Sequence, residues 1–88
     1  MIERDLKVGA IVQHFKREWV NSETSEYLYN ILAFASHTET GEHLVIYQRI
    51  YATFKICDRP YDMFMSEVDR DKYPDVKQIY RFERVELA

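Results

Sequence analysis

The most informative stretch of the chain is Leu44-Val45-Ile46-Tyr47-Gln48-Arg49-Ile50-Tyr51. Its residues alternate between two faces and are rich in β-branched and aromatic side chains, which is typical of a β-strand. Residues 37–43, which precede it, are polar and contain Gly41, a residue that takes a positive φ at little cost. We therefore predict a short hairpin with a bulge at 37–43, leading into a strand at 44–51.

Four further segments have strand character, at residues 10–15, 27–37, 54–58 and 78–85. The segment 27–37 is apolar on both faces for part of its length, and the small residues Ala33 and Ala35 would allow it to bend. Pro60 has no N–H to donate, so we expect the strand at 54–58 to be closed by Arg59-Pro60. One helical turn is expected at 61–65, and loops at 16–26 and 71–75.

These segments predict an all-β fold. Five or six short strands with tight turns in 88 residues favour a small, strongly bent sheet that closes into an SH3-type barrel, with one short helical turn. The length suits a single domain over residues 1–88 with one small core. The positions predicted to face inward are Ile31, Val45, Phe64 and Phe82.

Charge and composition exclude several functional classes. The net charge is −3, and the interleaved signs argue against sequence-independent binding of duplex nucleic acid. The single cysteine, Cys57, excludes an internal disulfide. No apolar run approaches the ~18 residues of a membrane span, and residues 1–5 lack a signal-peptide pattern. We therefore expect a cytoplasmic protein with no membrane association.

A series of short motifs runs along the chain in a recognisable order. The motifs are His14-Phe15-Lys16, His37-Thr38-Glu39-Thr40, Leu44-Val45-Ile46-Tyr47-Gln48 with Tyr51, Arg59-Pro60, Met63-Phe64 and Arg81-Phe82. Together they resemble the pattern of the bacterial family called Domain of Unknown Function 1653, over nearly the whole chain from about Lys7 to Val85. The resemblance implies a small SH3-type β-barrel and brings no established activity.

The chain departs from that pattern at three places. Its first loop, residues 17–28, is longer than is usual in the family. Cys57 and Asp58 stand where the family has a tryptophan and a valine, and Ala52 stands where a glycine is usual. If the family has an aromatic-lined groove, this chain lacks that tryptophan, and Trp19 in the longer loop could substitute for it.

Four polar residues of the matching motifs form a candidate site: His37, Glu39, Tyr47 and Arg59. Arg59 could clamp an anionic ligand, or it could pair with Glu39 and brace the hairpin against the Arg-Pro turn. We favour the structural pair, because such pairs perturb ionisable groups as strongly as functional sites do. We expect Arg59 within ion-pair reach of Glu39 or another carboxylate, with His37 partly buried beside them.

A metal site is a less favoured alternative at the same hairpin. His37 and Glu39 are two residues apart, so on a strand they would share a face. With His43 across the hairpin, or His14 from the first strand, they could hold a zinc ion with an open position. The competing interpretation is a polar hairpin end in solvent.

The tyrosines raise a third possibility, that of an exposed aromatic surface. The cluster that we would test for exposure is Tyr47, Tyr51 and Tyr61, although most aromatics in a tiny barrel fill or girdle the core. Single-stranded nucleic-acid binding would need a local basic and aromatic patch. The only candidates for it are Arg49, Lys55 and Arg59 beside Tyr47 and Tyr51.

We expect a small, non-catalytic binding or interaction module. The chain has no phosphate-binding glycine loop, and Cys57 forms no dyad with a histidine by spacing, so no catalytic residue, cofactor or metal is predicted. A protein or a small ligand is favoured over nucleic acid as the partner. The candidate binding residues are His37, Glu39, Tyr47, Tyr51, Arg59 and Tyr61.

Overall fold

A computed structural model describes residues 6–85 of the chain. The segment 1–5, where we expect no signal-peptide pattern, lies outside the described residues, as do residues 86–88. The elements are β1 (Ile11–His14), a 3₁₀ helix (Phe15–Trp19), β2 (Leu28–Ser36), β3 (His43–Arg49), β4 (Ile56–Pro60), α1 (Tyr61–Met65) and β5 (Phe82–Arg84). Within residues 6–85, no helix is long and apolar enough to cross a membrane.

The five strands form one antiparallel sheet in the order β4-β3-β2-β1-β5. The predicted all-β class with one short helical turn is confirmed. The sheet is open, with β4 and β5 at its edges, and it curls so that the two edges approach each other. The guanidinium carbon of Arg59 on β4 lies 5.7 Å from the ring centroid of Phe82 on β5. The architecture is therefore a barrel-like open sheet.

Two local features produce the curl and the first hairpin. The pairing of β2 with β3 shifts register between Ile31 and Ala33, so β2 bends where the small residues predict it. In the turn that follows, Gly41 has a φ of +73° and donates its N–H to the carbonyl of His37 at 2.8 Å. The predicted hairpin is confirmed.

The core lies on the concave face of the sheet and is closed by α1. Ile31, Val45, Phe64 and Phe82 are all less than 2 % exposed, as the alternation predicts. The rings of Phe64 and Phe82 stack, with centroids 4.1 Å apart and planes 5° from parallel. Phe64 thereby fastens α1 to the last strand.

Two strands begin later than predicted because their first residues adopt left-handed backbone. Tyr27 has a φ of +65° and Phe54 a φ of +58°, which a β-strand cannot accommodate. As a result β2 begins at Leu28 and β4 at Ile56. β4 also continues through Pro60 instead of ending before it, because an edge strand tolerates a residue without an N–H.

The predicted first and last strands, 10–15 and 78–85, are also too long. The chain leaves β1 at Phe15, where the 3₁₀ helix begins and Nδ1 of His14 accepts a hydrogen bond from the Lys16 N–H. Before β5, the Glu83 carboxylate accepts from the N–H groups of Ile79 and Tyr80 at 3.1 and 3.0 Å. This local bonding makes a turn where the side-chain alternation predicts a strand.

Candidate functional site

The hairpin residues of the predicted site have a local structural role. His37 and Glu39 are both exposed. Nδ1 of His37 accepts hydrogen bonds from the N–H groups of Glu39 and Thr40, at 3.2 and 3.3 Å. The imidazole therefore caps its own turn, and the expectation that His37 is partly buried beside Arg59 is wrong.

Arg59 faces the mouth of the core instead. It is paired with Val45 in the β3–β4 register, on the concave face of the sheet. Its Nε donates to the Tyr47 hydroxyl at 3.2 Å, and its Nη1 lies 3.7 Å from the Met63 sulfur. Among residues 6–85 it forms no ion pair with Glu39 or with another carboxylate, so that prediction is also wrong. Of the predicted polar set, the structure brings together Tyr47 and Arg59.

The metal alternative is not supported by the positions of the histidines. Within residues 6–85, no three histidine, cysteine, aspartate or glutamate side chains are placed to hold a metal ion. His14 lies instead among aromatic rings, with centroid distances of 4.2 Å to Phe15, 5.9 Å to Tyr27 and 5.1 Å to Phe82.

The predicted tyrosines do not form one exposed surface. Tyr47 is only 5 % exposed, and Tyr51 is half-buried with its hydroxyl 3.0 Å from that of Tyr29. Burial, together with this hydrogen bond, raises the pKa of Tyr29. These rings contribute to the wall of the core. Of the basic and aromatic patch predicted for single-stranded nucleic acid, the structure brings together Arg49 and Tyr51, with the guanidinium carbon 5.4 Å from the ring centroid, while the Tyr47 ring is buried.

Tyr61 lies apart from the other predicted residues. Its exposed ring is 6.1 Å from that of Phe34, beside an open cleft of about 750 Å³. That cleft is lined by Glu42, His43, Pro60, Tyr61, Asp62 and Met63. Nearly all of these residues are exposed and two are acidic, and none of their polar side-chain atoms is buried without a partner. The cleft therefore has volume but little convergent chemistry.

A smaller cleft, of about 270 Å³, concentrates most of the chemistry of the described residues. It is lined by His14, Phe15, Lys16, Arg59, Asp69, Lys72, Tyr73 and Arg81. Four of these side chains are permanent cations at neutral pH and only one is a carboxylate, which gives a local formal charge of four minus one, or +3. We call this site the basic cleft.

Strand pairing brings an early and a late segment of the chain together at the basic cleft. β1 and β5 are neighbours, with His14 opposite Phe82 in the register. The Phe15 N–H donates to the Arg81 carbonyl at 3.1 Å, which holds the start of the 3₁₀ helix against the approach to β5. Lys16 and Arg81, which are 65 residues apart in the sequence, therefore meet at one site.

The loop after α1 supplies the opposite wall. Asp69 accepts hydrogen bonds at Oδ1 from the N–H groups of Asp71 and Lys72, at 3.0 and 3.3 Å. The Tyr73 N–H donates to the Asp69 carbonyl at 2.8 Å, and the Lys72 ammonium lies 5.5 Å from the Tyr73 ring centroid. One oxygen of the only carboxylate of the cleft is thus engaged by its own turn.

Burial and the neighbouring cations of the cleft both affect the pKa of His14. Burial, followed by the charges of Lys16, Arg59 and Arg81, lowers the pKa of His14 to about 4. The ring is therefore neutral at pH 7, and since Nδ1 accepts from the Lys16 N–H at 3.1 Å, the proton is on Nε2. His14 can thus offer the cleft one neutral N–H donor.

Arg81 contributes a half-buried guanidinium group to this site. Its Nε is buried and has no hydrogen-bond partner within residues 6–85. An unpaired buried donor is costly, and a charged one more so. Arg49, which lies outside the cleft, also has a buried Nε without a partner, so the feature that distinguishes the basic cleft is its four cations beside one carboxylate.

Sequence reasoning identified Arg59, considered His14 only as a possible zinc ligand, and missed Lys16, Lys72 and Arg81 as site residues. Three of the motifs that carry the family resemblance, His14-Phe15-Lys16, Arg59-Pro60 and Arg81-Phe82, end at the basic cleft. Their shared basic character was the available signal. Lys72 lies in none of these motifs, and only the fold of the loop after α1 places it here.

Comparison with known proteins gives one match. No curated protein and no solved structure shows significant similarity to the chain. The model of the family described as "Protein of unknown function (DUF1653)" matches residues 10–84, which include every strand and every residue of the basic cleft. The chain therefore belongs to the DUF1653 family, as its motifs predict.

Proposed function

We propose that this protein is a small binding module whose basic cleft holds an anionic group of its ligand. The observation that carries the proposal is the convergence of Lys16, Arg59, Lys72 and Arg81 on one cleft with a single carboxylate, in a chain whose net charge is −3. Because the composition is acidic overall, an average surface patch would not be basic.

The contacts of the cationic groups support a ligand site over a structural network. The side-chain contacts of Arg59 are with a neutral phenol, a thioether and an aromatic ring. Arg81 keeps a buried Nε without a partner. A structural network would compensate such charges with carboxylates, because unpaired buried charge destabilises a fold. An anion in the cleft would supply a partner for the cationic groups that line it, through charge-assisted hydrogen bonds.

The lining of the cleft favours binding over catalysis. The residues that line it include no serine, threonine or cysteine within the described part of the chain. His14 is neutral and its Nδ1 is occupied, which suits a fixed hydrogen-bond donor. We further propose that the module acts in the cytoplasm, an assignment supported by a chain with one cysteine and no possible internal disulfide.

The test is a titration of the protein with inorganic phosphate, followed by ¹H–¹⁵N nuclear magnetic resonance at low salt. We expect saturable shifts at the amides of Lys16, Lys72 and Arg81. Lys72→Ala should weaken binding by about threefold to tenfold, which corresponds to roughly 0.7–1.4 kcal/mol for one exposed charge.

The matched control is Lys55→Ala, which removes an equally exposed lysine outside the cleft. It should leave the affinity for phosphate unchanged. Equal weakening by the two variants would reduce the effect to non-specific charge, and shifts confined to another surface would overturn the proposal.

A further inference from the structure

An exposed indole lies beside the basic cleft. Trp19, the only tryptophan of the chain, is 58 % exposed at the end of the 3₁₀ helix. Its ring centroid lies 5.8 Å from that of Tyr73 and 6.1 Å from that of Phe15. Tyr73 lines the basic cleft and so connects it with Trp19, whereas Phe15, which also lines the cleft, is buried. Trp19 itself lines a neighbouring cleft of about 540 Å³, together with Glu18, Lys77 and Glu83.

The segment that carries the indole is fixed on both sides of it. Glu18, the preceding residue, accepts hydrogen bonds from the N–H groups of Lys77 and Gln78, at distances between 2.7 and 3.1 Å. Arg17 donates to the carbonyls of Ser22 and Glu26 at 3.0 and 2.7 Å, which ties down the loop that follows. Trp19 is therefore a pre-positioned exposed ring, an arrangement typical of a stacking surface.

The size and charge of the cleft limit what it can hold. Its volume of about 270 Å³ is below the ~300–1,000 Å³ of sites that enclose a whole small ligand, so it suits a charged head group. A local formal charge of +3 matches a phosphate monoester, which carries about −1.5 to −2 at pH 7, better than a single carboxylate. The rest of the ligand must then extend out of the cleft.

The spacing along this surface distinguishes between kinds of phosphate ester. The Lys72 ammonium lies 5.5 Å from the Tyr73 ring centroid, and the Trp19 ring centroid lies 5.8 Å from that of Tyr73, so the Tyr73 ring lies between the ammonium and the indole in the chain of contacts. A ring bonded directly to the phosphate oxygen, as in a phosphorylated tyrosine, would remain inside the cleft. A nucleotide separates phosphate and base by a ribose, which allows the base to reach an aromatic ring outside the cleft.

We propose that the ligand is a nucleoside monophosphate unit, with its phosphate in the basic cleft and its base stacked on Trp19. This inference rests on the proposed anion-binding function. Such a unit exists as a free nucleotide and as the phosphorylated end of a single strand, and the two share the recognised chemistry. Stacking on an aromatic side chain contributes about 1–3 kcal/mol per base and tolerates different bases.

The experiment uses the fluorescence of Trp19, which is the only indole signal of the protein. The probes are adenosine 5′-monophosphate, ribose 5-phosphate, phenyl phosphate and adenosine. We expect the nucleotide to quench the fluorescence and to bind at least fivefold more tightly than ribose 5-phosphate, which is the lower limit of the stacking contribution. Phenyl phosphate should bind no better than ribose 5-phosphate, and adenosine should bind most weakly.

Variants separate the two parts of the site, with affinities measured by calorimetry. Trp19→Ala should reduce the affinity for the nucleotide to that for ribose 5-phosphate and leave the latter unchanged. Lys72→Ala should weaken both. Tyr61→Ala, which removes an exposed aromatic ring of another cleft, is the control and should weaken neither.

These measurements distinguish a failure of the stacking inference from a failure of the proposed anion-binding function. If the nucleotide and ribose 5-phosphate bind equally and Lys72→Ala weakens both, the stacking inference is overturned and anion binding stands. If no phosphate binds at all, the proposed function fails as well. Tighter binding of phenyl phosphate than of the nucleotide would also overturn the inference, in favour of a phosphorylated aromatic side chain. A short oligoadenylate, with and without a 5′-phosphate, identifies the source of the nucleotide unit. If the source is a strand end, the 5′-phosphorylated oligoadenylate should bind at least as tightly as adenosine 5′-monophosphate. If the source is the free nucleotide, the oligoadenylate should bind more weakly.

Discussion

Removal of the Phe64 ring tests how the helical turn is held on the sheet. Phe64 is fully buried and stacks on Phe82 at 4.1 Å, and its ring centroid is 5.3 Å from that of Tyr47. Truncation of a buried phenylalanine to alanine costs about 3–5 kcal/mol. For a domain of this length the total stability is about 4–13 kcal/mol, so Phe64→Ala should lose a large share of it.

The assay is urea denaturation followed by circular dichroism, with Phe64→Leu as a milder variant that keeps an apolar side chain in the cavity. We expect Phe64→Leu to lose about 1–2 kcal/mol and Phe64→Ala to lose more, even to the point of failing to fold. Met63→Ala is the matched control in the same turn, because Met63 is 46 % exposed, and it should lose less than about 1 kcal/mol. A loss below 1 kcal/mol for Phe64→Ala, or equal losses for Met63→Ala and Phe64→Leu, would refute the role of Phe64 as the anchor of α1.

Three further predictions concern charge and backbone. Because the fold lowers the pKa of His14 to about 4, the neutral ring stabilises the protein above the unfolded pKa of about 6.5. This stability should be lost as the pH falls from 6.5 to 4, and the loss should be on the order of 2 kcal/mol for a half-buried ring. Urea melts over this pH range measure it. The pH dependence should be smaller for His14→Asn, whose amide oxygen can still accept a hydrogen bond from the Lys16 N–H. Gly41→Ala should cost about 1–2 kcal/mol in thermal melts, because at a φ of +73° the added Cβ crowds the adjoining backbone. Among the described residues other than 40–42, no atom lies within 4 Å of that Cβ, so a loss well above this range would contradict the reasoning. Glu18→Ala should lower the free energy of unfolding by about 1–2 kcal/mol and should speed hydrogen exchange at the Lys77 amide, which donates to the Glu18 carboxylate. An unchanged exchange rate at that amide would show that the carboxylate is dispensable.

The inward faces of the fold could be predicted because they depend on a repeating pattern. Alternation in residues 44–51 assigns Val45 to the core, and the same reasoning assigns Ile31 and Phe82. The strand ends depend on single residues and could not be predicted. Tyr27 and Phe54 adopt positive φ although neither is a glycine or an asparagine, so no residue type marks where β2 and β4 begin.

The candidate site was only partly predictable for a different physical reason. The sequence singles out Arg59, but the hairpin where its partners were expected is held by local hydrogen bonds of its own. His37 bonds to the backbone two and three residues ahead, and such short-range bonds compete with longer-range pairing. At the cleft, Arg59 lies near Lys16 and Arg81. These residues become neighbours only because β1 pairs with β5 and the sheet curls toward β4. That proximity is a property of the topology and has no signature in local sequence.

The acidic composition and the basic cleft are consistent with each other once screening is considered. At physiological ionic strength, charges more than about 8 Å apart in solvent have little effect on one another. The potential in the cleft is therefore set by Lys16, Arg59, Lys72 and Arg81, which line it, and hardly by the acidic groups elsewhere. The net charge of −3 acts instead on ligands that extend over the surface, and it repels a long polyanion. On the proposed function, we therefore expect the cleft to admit a single phosphate group and to disfavour an extended nucleic-acid backbone. Of the two proposed sources of the nucleotide unit, we expect the free nucleotide to bind the cleft more tightly than a strand end does.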